Sequence, residues 1–230
     1  MVTWLFLGDA HLNPYRKDGA WENFKRLIEK PPSGLVILGD FFDFWFGFQD
    51  QRKLELLYGD LKGVFLSLYK NRTRIVFLEG NHDFGLKGEL FGVKVENYRW
   101  EKAMELEGLR ALLAHGDRNS GFPHCLPSLF LKNSLTCSLL RFLGPRVVIP
   151  IGFFWASRSK RKGPQENLQN RLRTYALKRL KEGFDAVIMA HSHMPDFVEY
   201  EGRFYFNVGS FREGNYLIFS EGRFSLKKVE

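Results

Sequence analysis

Cysteine is scarce: the 230-residue chain has two, Cys125 and Cys137. That pair matches no zinc pattern and builds no disulfide framework, so free thiols in a reducing compartment are expected. No apolar run reaches the roughly 18 uncharged residues that a membrane span requires. The opening apolar run, residues 2–7, lacks a basic start and stops at Asp9, so no signal peptide is expected. These absences point to a cytoplasmic protein with at most peripheral membrane contact. Internal repeats and low-complexity tracts are also missing, which excludes solenoid and fibrous classes. Acidic residues are almost missing from one stretch. Residues 118–181 carry 13 Lys and Arg against a single acid, Glu166, within a chain whose net charge is +8. The rest of the chain is therefore net acidic. A basic segment of this kind attracts phosphates, nucleic acid or an anionic membrane.

Apolar residues, by contrast, are plentiful. At 44% hydrophobic and 26% charged, the chain can bury a core and is not a disordered class. At roughly 150 residues per domain, the length fits one large domain or one domain with an insertion.

Along the chain one unit recurs: a short apolar run, then a polar cluster. Trp4-Leu5-Phe6-Leu7 leads to Gly8-Asp9-Ala10-His11, and Leu35-Val36-Ile37-Leu38 to Gly39-Asp40-Phe41-Phe42-Asp43. Ile75-Val76-Phe77-Leu78 leads to Glu79-Gly80-Asn81-His82-Asp83. Residues 109–114 lead to His115-Gly116-Asp117, and residues 186–190 to His191-Ser192-His193. Apolar runs bounded by Gly read as buried strands, each with its polar cluster just past the C-terminal end.

Helical spacing lies between them. Asp18 is positioned to cap a helix with Trp21, Phe24, Leu27 and Ile28 on one face, ended by Pro31-Pro32. Residues 51–69 show Leu54, Leu57, Tyr58, Leu61, Phe65 and Leu68 at helical intervals. Pro164 opens a third helix with Leu168, Leu172, Tyr175, Ala176 and Leu180 inward. The C-terminal third reads as hairpins: strands over 197–200, 203–208, 216–220 and 223–229. The pattern predicts a mixed α/β fold of two packed sheets with helices outside, and its ligand site beyond the strand C-termini.

Five of the six histidines lie in these clusters, beside Asp9, Asp40 and Asn81. Imidazole, carboxylate and carboxamide together suit borderline or hard divalent metals, and no cysteine joins them. Asp9, His11, Asp40, Asn81, His115, His191 and His193 are too many donors for one tetrahedral ion. With Asp40 bridging, they suit two ions of the kind that flank an in-line displacement at phosphorus.

D-x-H, G-D-x-x-D, G-N-H-D, H-G-D and a final H-x-H, in this order, resemble the calcineurin-like metallophosphoesterases. The resemblance implies a four-layer α/β/β/α sandwich with a dinuclear site, often manganese. It implies that Asp9, His11 and His193 hold one metal, that Asn81, His115 and His191 hold the other, and that Asp40 bridges them. It places His82 beside the phosphate, to stabilise charge or protonate the leaving oxygen, with Asp83 orienting it. Asp43 and Asp117 are either supporting or structural. Asn207 and Ser210 fall at the edge of the site. Ala190 stands where the family usually has Gly.

The core is expected over residues 1–117 and 164–230, with a helical, apolar and basic lid inserted at 118–163. Leu131, Leu135, Leu139 and Phe142 can share one helix face there, and Arg158-Ser159-Lys160-Arg161-Lys162 follows. Apolar plus basic is the mix of an anionic membrane surface. The lid, together with residues 39–47 (G-D-F-F-D-F-W-F-G), resembles the UDP-2,3-diacylglucosamine hydrolases of lipid A synthesis. That branch cleaves the pyrophosphate of a lipid-linked UDP-sugar at the inner face of the cytoplasmic membrane, releasing UMP and a lipid monophosphate. On this resemblance Arg118, Asn119, Lys132 and Arg158 are candidate substrate contacts, and His124 is a surface or lid residue. Where the best-known members have Arg, this chain has His82. An alternative is a metal-dependent phosphodiesterase acting on nucleotides or nucleic acid. Against it, the aromatic residues of the basic segment sit among aliphatics, and no nucleic-acid-binding motif is present. A non-enzymatic scaffold would be expected to have lost ligands, and all seven are present.

Overall fold

The computed structural model describes residues 2–159 and 166–229. Its principal elements begin with β1 (Thr3–Leu7), α1 (Gly19–Ile28), β2 (Gly34–Ile37), α2 (Arg52–Leu57), α3 (Lys62–Lys70), β3 (Arg74–Leu78), β4 (Glu96–Tyr98), β5 (Glu101–Leu106) and β6 (Leu109–Ala114). They continue with α4 (Leu126–Leu131), α5 (Ser134–Leu143), α6 (Pro145–Ser159), α7 (Glu166–Lys181), β7 (Ala186–Met189), β8 (Pro195–Tyr200), β9 (Arg203–Val208), β10 (Asn215–Ser220) and β11 (Arg223–Lys228). One sheet has the order β11-β10-β1-β2-β3-β4 and the other β8-β9-β7-β6-β5. The central pairs are parallel and the outer hairpins antiparallel.

Side-chain alternation sorts the strands into layers. Leu5, Leu7, Leu35, Ile37, Ile75 and Phe77 face outward onto Trp21, Phe24 and Ile28 of α1 and Phe65 and Leu68 of α3. Their neighbours Trp4, Phe6, Val36, Leu38, Val76 and Leu78 face the second sheet, meeting Ala111, Leu113, Ala186, Ile188 and Val208. On the far side, Leu112, Ala114, Val187 and Met189 meet Leu168, Leu172, Ala176 and Leu180 of α7. Both faces of each sheet are covered, which is why these strands are unbroken apolar runs. The result is an α/β/β/α sandwich.

Asp18 caps α1 as expected, accepting from Ala20 N at 3.3 Å. The helical pattern over 51–69 divides into α2 and α3 around a single turn at Gly59–Leu61. Pro164, Lys160, Arg161 and Lys162 lie outside the described residues. Strands β4 and β5 carried no clear periodicity; both are edge strands and largely polar.

One helix face is corrected. Leu131 ends α4, and Asn133 caps α5, accepting from Leu135 N at 2.8 Å. The four residues expected on one stripe therefore sit on two helices, and Leu135, Leu139 and Phe142 point to solvent at 79%, 56% and 88% exposure. Helix α5 turns Cys137, Leu140 and Arg141 inward instead. Arg141 fastens it, donating Nε to the Gly47 carbonyl at 2.9 Å and Nη2 to the Gly85 carbonyl at 3.1 Å.

Candidate metal centre

The parallel strands β1, β2, β3, β6 and β7 all run toward one end of the sandwich, and their loops meet there. The backbone turns sharply. Asp9, His11, Asp40, His191 and His193 all adopt left-handed conformations, with φ of 51°, 45°, 51°, 72° and 61°. Such residues cost roughly 1–3 kcal/mol each and persist where the surroundings over-determine them. Asp and His tolerate this region better than most residues, so the ligand types also suit the turns.

A web of hydrogen bonds holds these turns. Asp9 N donates to Gly39 O at 3.0 Å and His11 N to Asp40 O at 2.9 Å. Ser210 Oγ donates to the Asp9 carbonyl at 2.9 Å, and Asn207 Nδ2 to the Ala190 carbonyl at 2.7 Å. The two residues read as lying at the site's edge thus brace its ligand loops. Ala190 is accommodated because Gly8 faces it; a Cβ on Gly8 would lie 2.7 Å from that of Ala190.

The two carboxylates are arranged alike. Asp9 Oδ2 accepts from His191 N at 2.7 Å, and Asp40 Oδ1 from His82 N at 2.8 Å. Each keeps its other oxygen for the cluster. Asp9 Oδ1 lies 3.2 Å from His193 Nε2 and 3.9 Å from His11 Nε2. Asp40 Oδ2 lies 3.9 Å from His11 Nε2 and 3.6 Å from His115 Nε2, whose neighbour His191 Nδ1 is at 3.1 Å. A single oxygen of Asp40 therefore faces both histidine groups. Two donors about 2.1 Å from one ion lie roughly 3–3.5 Å apart, so the spacing suits cation binding. Asp9 Oδ1, both ring nitrogens of His11 and Asn81 Oδ1 are buried without a hydrogen-bond partner. Orphaned buried donors of this kind are otherwise costly, and cations would satisfy them. Among the described residues, Asp9, His11 and His193 form one group that could hold a divalent ion, Asp40, His115 and His191 a second, and His11, Asp43 and His82 a third. The donor set fits a pair of ions, with Asn81 joining His115 and His191 as the family resemblance implies.

Protonation follows the same geometry. Burial, with His82 beside it, pushes His11 down to about 3, leaving a neutral imidazole. Burial opposes charge on His115 too, but the Asp40 carboxylate outweighs it and raises that ring to about 9. His115 Nδ1 is 2.7 Å from the Leu38 carbonyl. A carbonyl only accepts, so Nδ1 carries the proton and Nε2 is the ligand atom. A cation bound there displaces a proton from Nε2.

His82 obeys the same rule: its Nδ1 is 2.8 Å from the carbonyl of Asp43, so Nδ1 carries the proton. Asp83 does not orient it. Fully buried, the Asp83 carboxylate instead accepts from Gly80, Asp40, Phe41 and Phe42 backbone nitrogens at 2.6–3.2 Å. Burial, with the charge of Asp40, holds its carboxyl up at about 8. Its role is to bind the loop that carries the bridging aspartate. That role left no signal in the sequence, where Asp83 simply adjoins His82.

The residues expected to contact substrate divide. Arg158 lines a cavity of about 390 Å³ together with Asn81, His124, Trp155 and His191. Exposed Arg118 lies over the Trp100 ring, and Asn119 is half-buried beside it; neither lines that cavity. Lys132 is 1% exposed, and its ammonium is 2.7 Å from Asp117 Oδ2 and 2.7 Å from the Glu79 carbonyl. It is occupied by the protein itself, which corrects its expected place among the substrate contacts. An apolar recess adjoins the cavity, lined by Phe44, His82, Phe84, Leu131, Leu140 and Trp155 among others.

The family model of the calcineurin-like phosphoesterases matches residues 2–195. The chain is 32% identical over 119 residues to the UDP-2,3-diacylglucosamine hydrolase of Aliivibrio fischeri, covering 50% of this chain and 48% of that one. It is 33% identical over 115 residues to the enzyme of the same name from Ralstonia nicotianae, covering 49% and 42%. The chain thus spans about half the length of the curated relatives it matches. Among solved structures, Vps29 from Entamoeba histolytica complexed with zinc is similar at 14% identity and a TM-score of 0.48, covering 99% of this chain and 98% of that one. A novel archaeal phosphodiesterase is similar at 13% and 0.49, covering 99% and 100%. With a donor set spread over all five strand ends and a family match spanning residues 2–195, the chain belongs to the calcineurin-like phosphoesterase family.

Proposed function

We propose that this protein is a dinuclear-metal hydrolase that cleaves the pyrophosphate of UDP-2,3-diacylglucosamine or a closely similar lipid-linked nucleotide sugar, giving UMP and a lipid monophosphate. The observation that carries the proposal is the meeting of two differently lined spaces at the donor cluster. One sets Arg158, His124 and His191 among apolar side chains, the other is almost wholly apolar, and Asn81, Leu131 and Trp155 line both. A substrate with a charged diphosphate and acyl chains has those two characters, joined at the bond to be broken. The curated relatives carry the matching name.

When bound, the two ions, of which Mn2+ is the proposed pair, supply Lewis-acid polarisation of the phosphoryl group and activation of water. The chain's own residues do the rest. Asp9, Asp40, Asn81 and the four ligand histidines fix the centre. His82, held by the Asp43 carbonyl, presents Nε2 to stabilise charge or to deliver a proton to the leaving oxygen. Arg158 offers a cation to a phosphate in the mixed cavity it lines, while Leu131, Leu140 and Phe44 keep water from the apolar recess.

The lid also supports action at an anionic membrane on the cytoplasmic side. Phe130, Leu135, Phe142 and Phe154 are exposed on α4, α5 and α6, alongside the basic segment. Among the described residues no single helix is long and apolar enough to cross a membrane; α5 and α6 together have the length and composition but meet at a 119° bend. An in-plane, interfacial attachment suits that geometry.

The test is UMP release from UDP-2,3-diacylglucosamine in detergent micelles, with and without Mn2+, beside a de-acylated UDP-sugar. Metal-dependent release from the acylated substrate alone is expected. Hydrolysis of a generic aryl phosphodiester with no release from the lipid would discard the lipid substrate. Salt-sensitive DNA binding would then favour nucleic acid or nucleotides.

A further inference from the structure

Lys132 stands at the break between α4 and α5, in a segment whose other described cations face solvent or are only partly covered. Lysine is almost never fully buried unless its charge is paired. Here the side chain is fully enclosed, with an acidic partner for its charge and two carbonyls for its donors. Nζ is 2.7 Å from Asp117 Oδ2, donates to the Glu79 carbonyl at 2.7 Å, and is 3.4 Å from the Arg99 carbonyl. The Trp100 ring centroid lies 4.6 Å away, a cation–π contact.

The partners matter more than the burial. Glu79 is two residues before Asn81, and Asp117 is two residues after His115. Asn81 follows β3 and His115 follows β6; those strands belong to different sheets, so no strand ladder joins them. Both residues fall in the same half of the cation centre, with His191. One ammonium from the lid therefore ties together the two loops that carry these donors. The other half, Asp9, His11 and His193, has no contact with Lys132 among the described residues.

We propose that Lys132 is a positioning residue for the Asn81–His115–His191 half of the centre, and that it makes that half's cation affinity depend on docking of the α4–α5 junction. The proposal rests on the dinuclear reading of the donor cluster. Lys132 touches neither substrate nor metal; it acts through the Glu79 carbonyl and the Asp117 carboxylate. Groups that hold a ligand in place in this way typically change metal affinity by about 10–100-fold when removed.

The experiment is Mn2+ titration of the full chain by calorimetry and by electron paramagnetic resonance. Lys132→Met alone leaves a buried carboxylate uncompensated and endangers folding. The double variant Lys132→Met/Asp117→Asn removes both charges and is the principal probe, with its thermal midpoint measured beside it. The wild-type chain is expected to bind two Mn2+ with a spin-coupled spectrum. The folded double variant is expected to keep one Mn2+ at unchanged affinity, to bind the second about 10–100-fold more weakly, and to give the spectrum of isolated Mn2+. A merely structural lysine would weaken both ions alike or neither, and either result overturns the proposal. If the wild-type chain binds fewer than two ions, the dinuclear reading itself fails, and the proposal falls with it.

Discussion

At the scale of the residue, the two aspartates Asp9 and Asp40 share one device. A backbone amide from another ligand loop pins one oxygen, and the second faces the histidines. Asp40 differs in that its free oxygen faces both groups. Asp40→Ala is therefore expected to abolish turnover and to lower metal content, as measured by elemental analysis of the purified protein. An active, metal-replete Asp40→Ala would sink the bridging assignment. His82 is proposed to serve the substrate, although it also groups with His11 and Asp43 in a way that could hold an ion. His82→Gln is expected to keep both ions and lose turnover by roughly 10²–10⁴-fold. Metal loss in that variant would move His82 into the ligand set.

At the scale of the element, the strand-end turns set the geometry that the side chains use. Among the glycines beside the candidate ligands, Gly80 is the tightest point. A Cβ there would overlap Asp40 Oδ1 and the Asp40 backbone nitrogen. Gly80→Ala is expected to displace the bridging carboxylate and to destabilise the fold by about 1–3 kcal/mol. Thermal unfolding at unchanged metal concentration reads the second effect and metal content the first. Helix α5 poses the opposite case, because its outward residues Leu135, Leu139 and Phe142 are exposed among the described residues. Leu135→Asp/Phe142→Asp is expected to leave hydrolysis of a soluble aryl phosphodiester unchanged while reducing co-sedimentation with anionic vesicles. Equal co-sedimentation of variant and wild type would refute a membrane role for that face.

At the scale of the whole molecule, charge and apolar surface coincide at one end. The basic run over residues 118–181 includes the lid, and the lid carries most of the exposed large apolar side chains. Attraction to an anionic surface should then have two components. Raising salt shortens the Debye length from about 10 Å at 0.1 M to about 3 Å at 1 M and weakens the charged component. Apolar burial is not weakened in that way. Vesicle binding is expected to fall with salt but to persist. Binding abolished by salt, and matched by DNA, would indicate a generic polyanion surface. The body beneath is anchored by the inter-sheet core. Phe6, buried between the sheets, should cost roughly 3–5 kcal/mol when cut to Ala, seen in the denaturant midpoint.

Much of this was legible in the chain before any coordinates. A strand covered on both faces needs an unbroken apolar run, and a ligand loop needs its polar residues next to that run. Both demands are local, so β1, β2, β3, β6 and β7 and the seven candidate donors stand out in order. The helix stripes of α1, α3 and α7 are local in the same sense. What escaped depends on partners far apart in the chain. Asp83 serves the loop of Asp40 instead of His82, because closure of the sandwich brings four backbone amides to its carboxylate. Lys132 looked like a free cation for substrate, yet Asp117 and Glu79 reach it from two different sheets. Leu135, Leu139 and Phe142 have the periodicity of a core face but lie outside, since Arg141 fastens the opposite side of α5 to Gly47 and Gly85. Periodicity states that a face is apolar. Which face is covered, and by what, is settled by the packing of segments 40 to 180 residues apart, where short-range pattern carries no information.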